Sequence, residues 1–142
     1  MVKYWFCVIN EENWKIMKKR KVWGTTERSR KKLEKIRLGD MMIFYVKPKR
    51  IGGIFKAMSD SFENNKSIFS SKGFKKEEIF PYRVKVESVI MPKEWIDFTP
   101  LIPRLGFISR KSERWAGTIQ GRAIIQISRE DYEVIEAEIK RA

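Results

Sequence analysis

The sequence predicts an α+β fold, a curved mixed β-barrel of five or six strands with short helices at its periphery, and three observations carry that expectation. Runs such as VKYWFCVI and MMIFYV are too short and too rich in β-branched and aromatic residues for helices. Short turns rather than long helical crossovers separate several of the strand runs, which argues against a βαβ layout. With 142 residues, 42% hydrophobic and 13% aromatic, the chain has the length and apolar content of one domain, residues 1–142, with a packed core.

Val2 to Ile9 is almost continuously apolar, as expected of a central strand covered on both faces. Asn10, or the acidic pair Glu11 and Glu12, then starts a short helix through Trp14 and Met17, and the basic run Lys18 to Lys21 leads on to Trp23. Gly24, Thr25 and Thr26 break the chain and offer a cap for a helix over 28–36, with Leu33 and Ile36 as its apolar stripe. Leu38-Gly39-Asp40 reads as a turn before the strand Met41 to Val46, whose antiparallel partner is Ile51 to Met58 across a turn containing Pro48. Gly52 and Gly53 mark a bulge or a close approach of another group.

Residues 59–76 form a long polar loop punctuated by Phe62, Phe69 and Phe74. Tyr82 to Ile90 alternates, placing Tyr82, Val84 and Val86 on one face and Arg83, Lys85 and Glu87 on a wet one. Pro92, Pro100 and Pro103 interrupt an irregular stretch of short helical turns. Ala123 to Ile127 is the last strand, and Ser128 with Asp131 resembles a capping box opening a terminal helix through Tyr132, Ile135 and Ile139.

Charge narrows the function. Lys and Arg number 31 against 18 Asp and Glu, a formal +13, and a polyanion is the natural partner. Lys15 to Arg37 holds 11 basic and 2 acidic residues, and Arg104 to Arg122 holds 5 basic and 1 acidic, so these two stretches carry the whole excess. If they meet in the fold they make one positive face; the competing reading is a charged surface of thermophile-like composition. One cysteine and no histidine exclude intrachain disulfides, the usual zinc and iron sites, and histidine-dependent catalysis, leaving carboxylate, lysine or tyrosine chemistry to any enzyme. Cys7, within an apolar run, is expected to be a buried structural thiol. No apolar run of about 20 residues is seen, and no leader is expected because the first residues already read as strand. A cytoplasmic location without membrane association is expected. No glycine-rich phosphate loop is present, and no cofactor is expected.

Three constellations stand out. Trp23-Gly24-Thr25-Thr26 lies between basic runs, where a rigid aromatic beside cations suits stacking on a base, although most tryptophans are core plugs. Asn10 and Asn13 end the first strand with both amide donors and acceptors, as reading a base edge or capping a helix requires. Ser109-Arg110-Lys111-Ser112, Arg114-Trp115 and Gln120-Gly121-Arg122 mix donors suited to phosphates, or form a solvated loop.

The order KYWFCVIN, VWGTTERSRKKL, LGDMMIFYV, GGIFKAMSD, YRVKVESVI and SRKSERWAGTIQG resembles the EVE domain, a member of the PUA-like superfamily, over nearly the whole chain. Trp23-Gly24-Thr25-Thr26 also resembles the Trp-Ser-Thr-Thr of the related YTH domains, whose tryptophan walls an aromatic cage for N6-methyladenine. The resemblance implies a PUA-like barrel with a pocket for a modified base flipped out of a strand. Carried over by position, Trp23 is the cage wall, Asn10 and Asn13 read the base edge, and Gly24 and Thr25 line the rim. Lys18, Lys19, Arg20, Lys21, Arg28, Arg30, Arg110, Lys111, Arg114 and Arg122 are the candidate contacts to the backbone of single-stranded RNA or DNA. Phe62, Phe69 and Phe74 are candidates for the second cage wall. Many EVE domains carry Lys-Ser-Glu-Pro after the first strand, where this chain has Val8-Ile9-Asn10-Glu11. Two alternatives come from other classes. One is a small ASCH-type enzyme acting on an amide or nucleoside through lysine or carboxylate chemistry, with Glu11, Glu12 and Asp40 brought together by folding. The other is a basic accessory protein that coats RNA without using a pocket.

Overall fold

The computed structural model describes residues 1–72, 74, 76–108, 119 and 122–142. Eight strands form one mixed sheet: β1 (Tyr4–Ile9), β2 (Val22–Thr25), β3 (Met41–Val46), β4 (Arg50–Ala57), β5 (Phe62–Glu63), β6 (Tyr82–Ile90), β7 (Ile96–Asp97) and β8 (Ile124–Ile127). Six of them follow one another in the order β2-β6-β4-β3-β1-β8 and curl into a half-barrel, while β5 adds to β6 and β7 to β4. The helices are α1 (Glu11–Arg20), α2 (Arg30–Leu33) and α3 (Arg129–Arg141), with 3₁₀ turns at Glu27–Ser29 and Thr99–Arg104.

β1 is central and pairs in parallel with β3, Tyr4 opposite Met41 and Ile9 opposite Val46, because α1, β2 and α2 intervene between them. Its alternate residues enter two cores. Trp5, Cys7 and Ile9 join Trp14, Met17, Trp23, Phe44 and Val84 on one face. Phe6 joins Tyr45, Phe98, Leu101 and Ile135 on the other. Covering on both faces explains why the strand shows no polar alternation. Cys7 is buried, and burial pushes its thiol up. Asp40, also buried, is a structural acceptor: it takes hydrogen bonds from Trp5 Nε1 (2.9 Å) and from the backbone N–H groups of Lys3 and Arg37 (3.0 Å each).

Several local expectations change. α1 runs to Arg20, so Lys18, Lys19 and Arg20 occupy its last turn, where the helix dipole favours cations. Lys21 follows as its left-handed cap, φ 57°, donating to the Met17 carbonyl at 2.7 Å. Trp23 to Thr25 are strand rather than a break. The helix expected over 28–36 shrinks to a 3₁₀ turn and the four residues of α2, because Ser29 makes no side-chain cap and cations crowd adjacent turns. Leu33 and Ile36 are nonetheless buried. The register of β3 and β4 shifts beside Gly52, and a Cβ there would come within 2.6 Å of the Trp14 ring, so the bulge admits an indole. The Ser128 hydroxyl caps α3 by accepting from Asp131 N–H (3.1 Å), but the Asp131 carboxylate accepts from Gly106 and Phe107 N–H groups at 2.8 and 2.9 Å. Among the described residues, no helix is long and apolar enough to cross a membrane.

The outer face of β6 departs furthest from expectation. Arg83, predicted on a wet face, is 2% exposed, covered by the loop before β6. Its Nε donates to the Phe80 carbonyl (2.9 Å), its Nη2 to the carbonyls of Ile79 (3.3 Å) and Lys66, and its guanidinium lies 5.2 Å from the Phe69 ring. A planar fork of donors lets one side chain gather carbonyls that no strand partner satisfies.

Candidate functional site

Where β1 gives way to α1, and β2 passes beside it, a cavity of about 80 Å³ opens. Asn10, Asn13, Trp23, Gly24 and Thr25 all line it, so the structure brings together the five residues singled out for a base pocket. They do different things there.

Trp23 reaches the cavity from β2 while remaining part of the core, 2% exposed, its ring edge-on to Phe44 at 5.2 Å and 89°. A buried indole N–H ordinarily has an acceptor. That of Trp5, equally buried, has Asp40. Among the described residues no group accepts from the N–H of Trp23, and Nε1 is not among the buried side-chain atoms left without a partner, so this N–H is not sealed in the core.

The Oδ1 of Asn10 accepts from Asn13 N–H at 2.7 Å and caps α1, which fixes the amide's orientation. Its Nδ2 donates to no described residue. Asn13 is already engaged: Oδ1 accepts from Ser70 N–H (2.6 Å) and Nδ2 donates to Ser70 O (3.0 Å), a two-point clamp on a loop 57 residues away. Asn13 therefore ties the loop at Ser70 to α1. Thr25 is buried, its hydroxyl making a long 3.4 Å bond to the Tyr82 carbonyl. Gly24 sits opposite Arg83 in the ladder, and a Cβ on it would come within 2.7 Å of the Phe69 ring and 2.8 Å of the Phe80 carbonyl. Glycine is required there by close approach.

The three loop phenylalanines separate. Phe74 lines the cavity and is 43% exposed, edge-on to Phe80 at 5.0 Å and 89°. Phe69 is buried behind Gly24, and Phe62 pairs with Arg83 in the β5–β6 ladder away from the cavity. Phe80, which the sequence reading did not single out, is a second aromatic wall and holds a left-handed φ of 59°. That conformation is rare for a bulky side chain and costs about 1–2 kcal/mol. Its only sequence signal was its position before Pro81 at the mouth of a strand.

No carboxylate lines the cavity among the described residues. Glu11 pairs with Arg50 and Lys15, and Glu12 with Lys72. The hydrogen bond from Arg50 holds the Glu11 carboxyl below its usual range, and Ser70 with Lys72 does the same to Glu12. With Asp40 bound to Trp5, the three carboxylates do not converge on the cavity.

The basic residues fan out. Lys18 lies over the Trp14 ring at 5.2 Å, Arg30 lies over Tyr82 at 4.8 Å and pairs with Glu27 and Glu34, and Arg20 and Lys21 border a second depression. Lys19, Arg28 and Arg122 are exposed and have no carboxylate within ion-pair distance among the described residues. Arg110, Lys111 and Arg114, with the rest of 109–118, lie outside the described residues.

The EVE domain family matches residues 3–138. A UPF0310 protein of Pyrococcus abyssi is 34% identical, the match covering 96% of this chain and 99% of the relative. Among solved structures, the YTH domain of Zygosaccharomyces rouxii MRB1 protein in complex with N6-methyladenosine RNA is similar with a TM-score of 0.65 and 18% identity, covering 99% of this chain and 90% of that one. Human THYN1 protein in complex with 5-methylcytosine-containing DNA has a TM-score of 0.65 and 16% identity, with 99% of each chain covered.

Proposed function

This chain belongs to the EVE domain family, and on that premise we propose that it is a nucleic-acid-binding domain that takes a modified base, such as a methylated one, into the cavity walled by Trp23. The observation that carries this reading is a cavity with three aromatic walls, Trp23, Phe74 and Phe80, beside two donors without acceptors among the described residues, the Trp23 indole N–H and the Asn10 amide. Aromatic faces suit a flat ring, and the two donors suit the acceptors on a base edge. That the similar MRB1 and THYN1 structures hold N6-methyladenosine RNA and 5-methylcytosine-containing DNA supports the reading.

As it stands the cavity is small beside ligand pockets of roughly 300–1,000 Å³. Phe74 is the wall that yields, because it is half-exposed while Trp23 and Phe80 are packed into the protein. Stacking contributes about 1–3 kcal/mol per base, and a buried methyl adds about 0.8 kcal/mol. The base leaves its stack at least cost in a single strand. Phosphate contacts from Lys18, Lys19, Arg20, Lys21, Arg28, Arg30 and Arg122, together with Arg110, Lys111 and Arg114, supply the salt-dependent share.

The test is titration of short single strands, plain or carrying one methylated base, at two salt concentrations, with the parent protein and Phe74→Ala. Methylation is expected to tighten binding severalfold, and Phe74→Ala to remove most of that increment while leaving the protein folded. If methylation and Phe74→Ala change nothing while salt still weakens binding, a sequence-blind basic surface replaces the base reader.

A further inference from the structure

The second depression, about 540 Å³ and open, runs along the same β2–β6 ladder that carries Trp23. Its rim holds Arg20, Lys21, Lys66 and Lys85 against one carboxylate, Glu87, with the buried Arg83 behind them. Its floor is apolar, with Val22, Phe62 and Ile68.

The cations are drawn together by the sheet. Lys85 stands opposite Val22, and Val86 N–H donates to the Lys21 carbonyl at 3.0 Å, so Lys21 and Lys85 are neighbours across the ladder. Among the described residues none of Arg20, Lys21, Lys66 and Lys85 has a carboxylate within ion-pair distance; Lys19, Arg28 and Arg122 are also unpaired, but these four cations line one depression. Lys21 also keeps a long cationic side chain at a left-handed position where glycine is the usual occupant. Unpaired cations gathered over an apolar floor form a surface that lacks its anion.

The depression and the cavity share a partition. Arg83 borders the depression and donates to the carbonyl of Phe80, which walls the cavity, and the same guanidinium donates to the carbonyl of Lys66 on the rim. The two sites are thus separated by the Arg83–Phe80 contact. The volume falls in the range that holds a nucleotide-sized ligand.

We infer that this depression seats the nucleotide adjacent to the base held in the cavity, its base on Val22, Phe62 and Ile68 and its phosphates against Lys21, Lys66 and Lys85. The inference rests on the cavity reading above, and its test separates the two. Affinities are measured across a range of salt for single strands of one, three and five nucleotides, plain and singly methylated. The proteins are the parent, Lys66→Gln/Lys85→Gln, Ile68→Ser, and Arg129→Gln/Lys140→Gln as a control with the same net charge. In the parent, going from one to three nucleotides is expected to tighten binding at least tenfold. The cleft pair is expected to lose most of that gain, with a salt slope shallower by about 1.4, or about 0.7 for each phosphate contact on a single strand. Ile68→Ser is expected to reduce the length gain with the slope kept.

Equal slopes for the cleft pair and the control pair overturn the inference. So does competition by poly-glutamate as effective as that of the strand, which would make the surface an acidic-protein site. A methylation increment that survives alongside equal slopes leaves the cavity reading standing and the adjacent site refuted. A missing increment with the slope change intact refutes the cavity reading and keeps the phosphate track.

Discussion

Val22 and the Trp23–Thr25 segment are contiguous on β2, yet they border sites built on different physics. The cavity at Trp23 is small, largely neutral and aromatic, held by buried contacts to Phe44, Phe80 and the Asn13–Ser70 clamp. The depression at Val22 is wide and open, with cations that have no carboxylate partner among the described residues over an apolar floor. Under the proposed function, the first supplies the shape that would discriminate among bases and the second the charge that would answer to any phosphate chain. One ribbon carrying both would then let a strand be held generally and read locally. The same contrast exists between two tryptophans of equal burial. Trp5 has its N–H bound to Asp40 and serves the fold, while the N–H of Trp23 has no acceptor among the described residues. Equal burial thus goes with different hydrogen-bond environments.

The largest effect that sharpens this contrast is expected from Trp23→Ala. Removing a core indole costs about 3–5 kcal/mol of stability, read by urea unfolding, and removes the methylation increment. Trp23→Phe separates the two roles, because it keeps an aromatic wall and deletes the N–H. It is expected to fold with a loss of about 1–2 kcal/mol and to retain the salt slope for plain strands, while weakening the methylated strand. An unchanged methylation increment in Trp23→Phe would show that the indole N–H plays no part in reading.

Gly24→Ala comes next. The added Cβ meets the Phe69 ring and the Phe80 carbonyl at 2.7 and 2.8 Å, and the backbone acceptor cannot swing away as a flexible side chain would. Overpacking of this kind costs about 1–3 kcal/mol. The strain falls on the partition between the sites, so both the methylation increment and the gain with strand length are expected to drop. Loss confined to one of them would mean that Phe80 and Arg83 do not couple the cavity to the depression.

Much of the architecture is legible in sequence because it depends on local chemistry. The apolar run at Tyr4–Ile9, the Asn10 and Ser128 caps and the glycine at the β4 bulge each follow from residue type and spacing. Of the residues lining the cavity, Asn10, Asn13, Trp23, Gly24 and Thr25 are reached through the family resemblance, whereas Phe80 is not. What escapes is set by contacts distant in sequence. Arg83 sits at an alternating position that predicts exposure, and only the covering loop buries it. Asn13 offers a free amide in sequence, yet Ser70 takes both of its groups. The basic run looks like one patch, but the helical period of α1 and the left-handed turn at Lys21 send Lys18 towards Trp14 and Arg20 with Lys21 towards the depression.

The smallest and most discriminating effect is expected at Lys21. At φ 57° a non-glycine residue carries about 1–2 kcal/mol of backbone strain, and glycine relieves it while adding about 0.5–1 kcal/mol of unfolded-chain entropy. Lys21→Gly is therefore expected to leave stability unchanged or raise it by up to about 1 kcal/mol, measured by urea unfolding. If Lys21 meets a phosphate, the same change lowers affinity for a plain trinucleotide about threefold and flattens the salt slope by about 0.7. Stability and binding then move in opposite directions, as happens where a strained residue is retained for its side chain. A loss of stability would assign the Lys21 side chain to the fold, and an unchanged slope would remove it from the phosphate track.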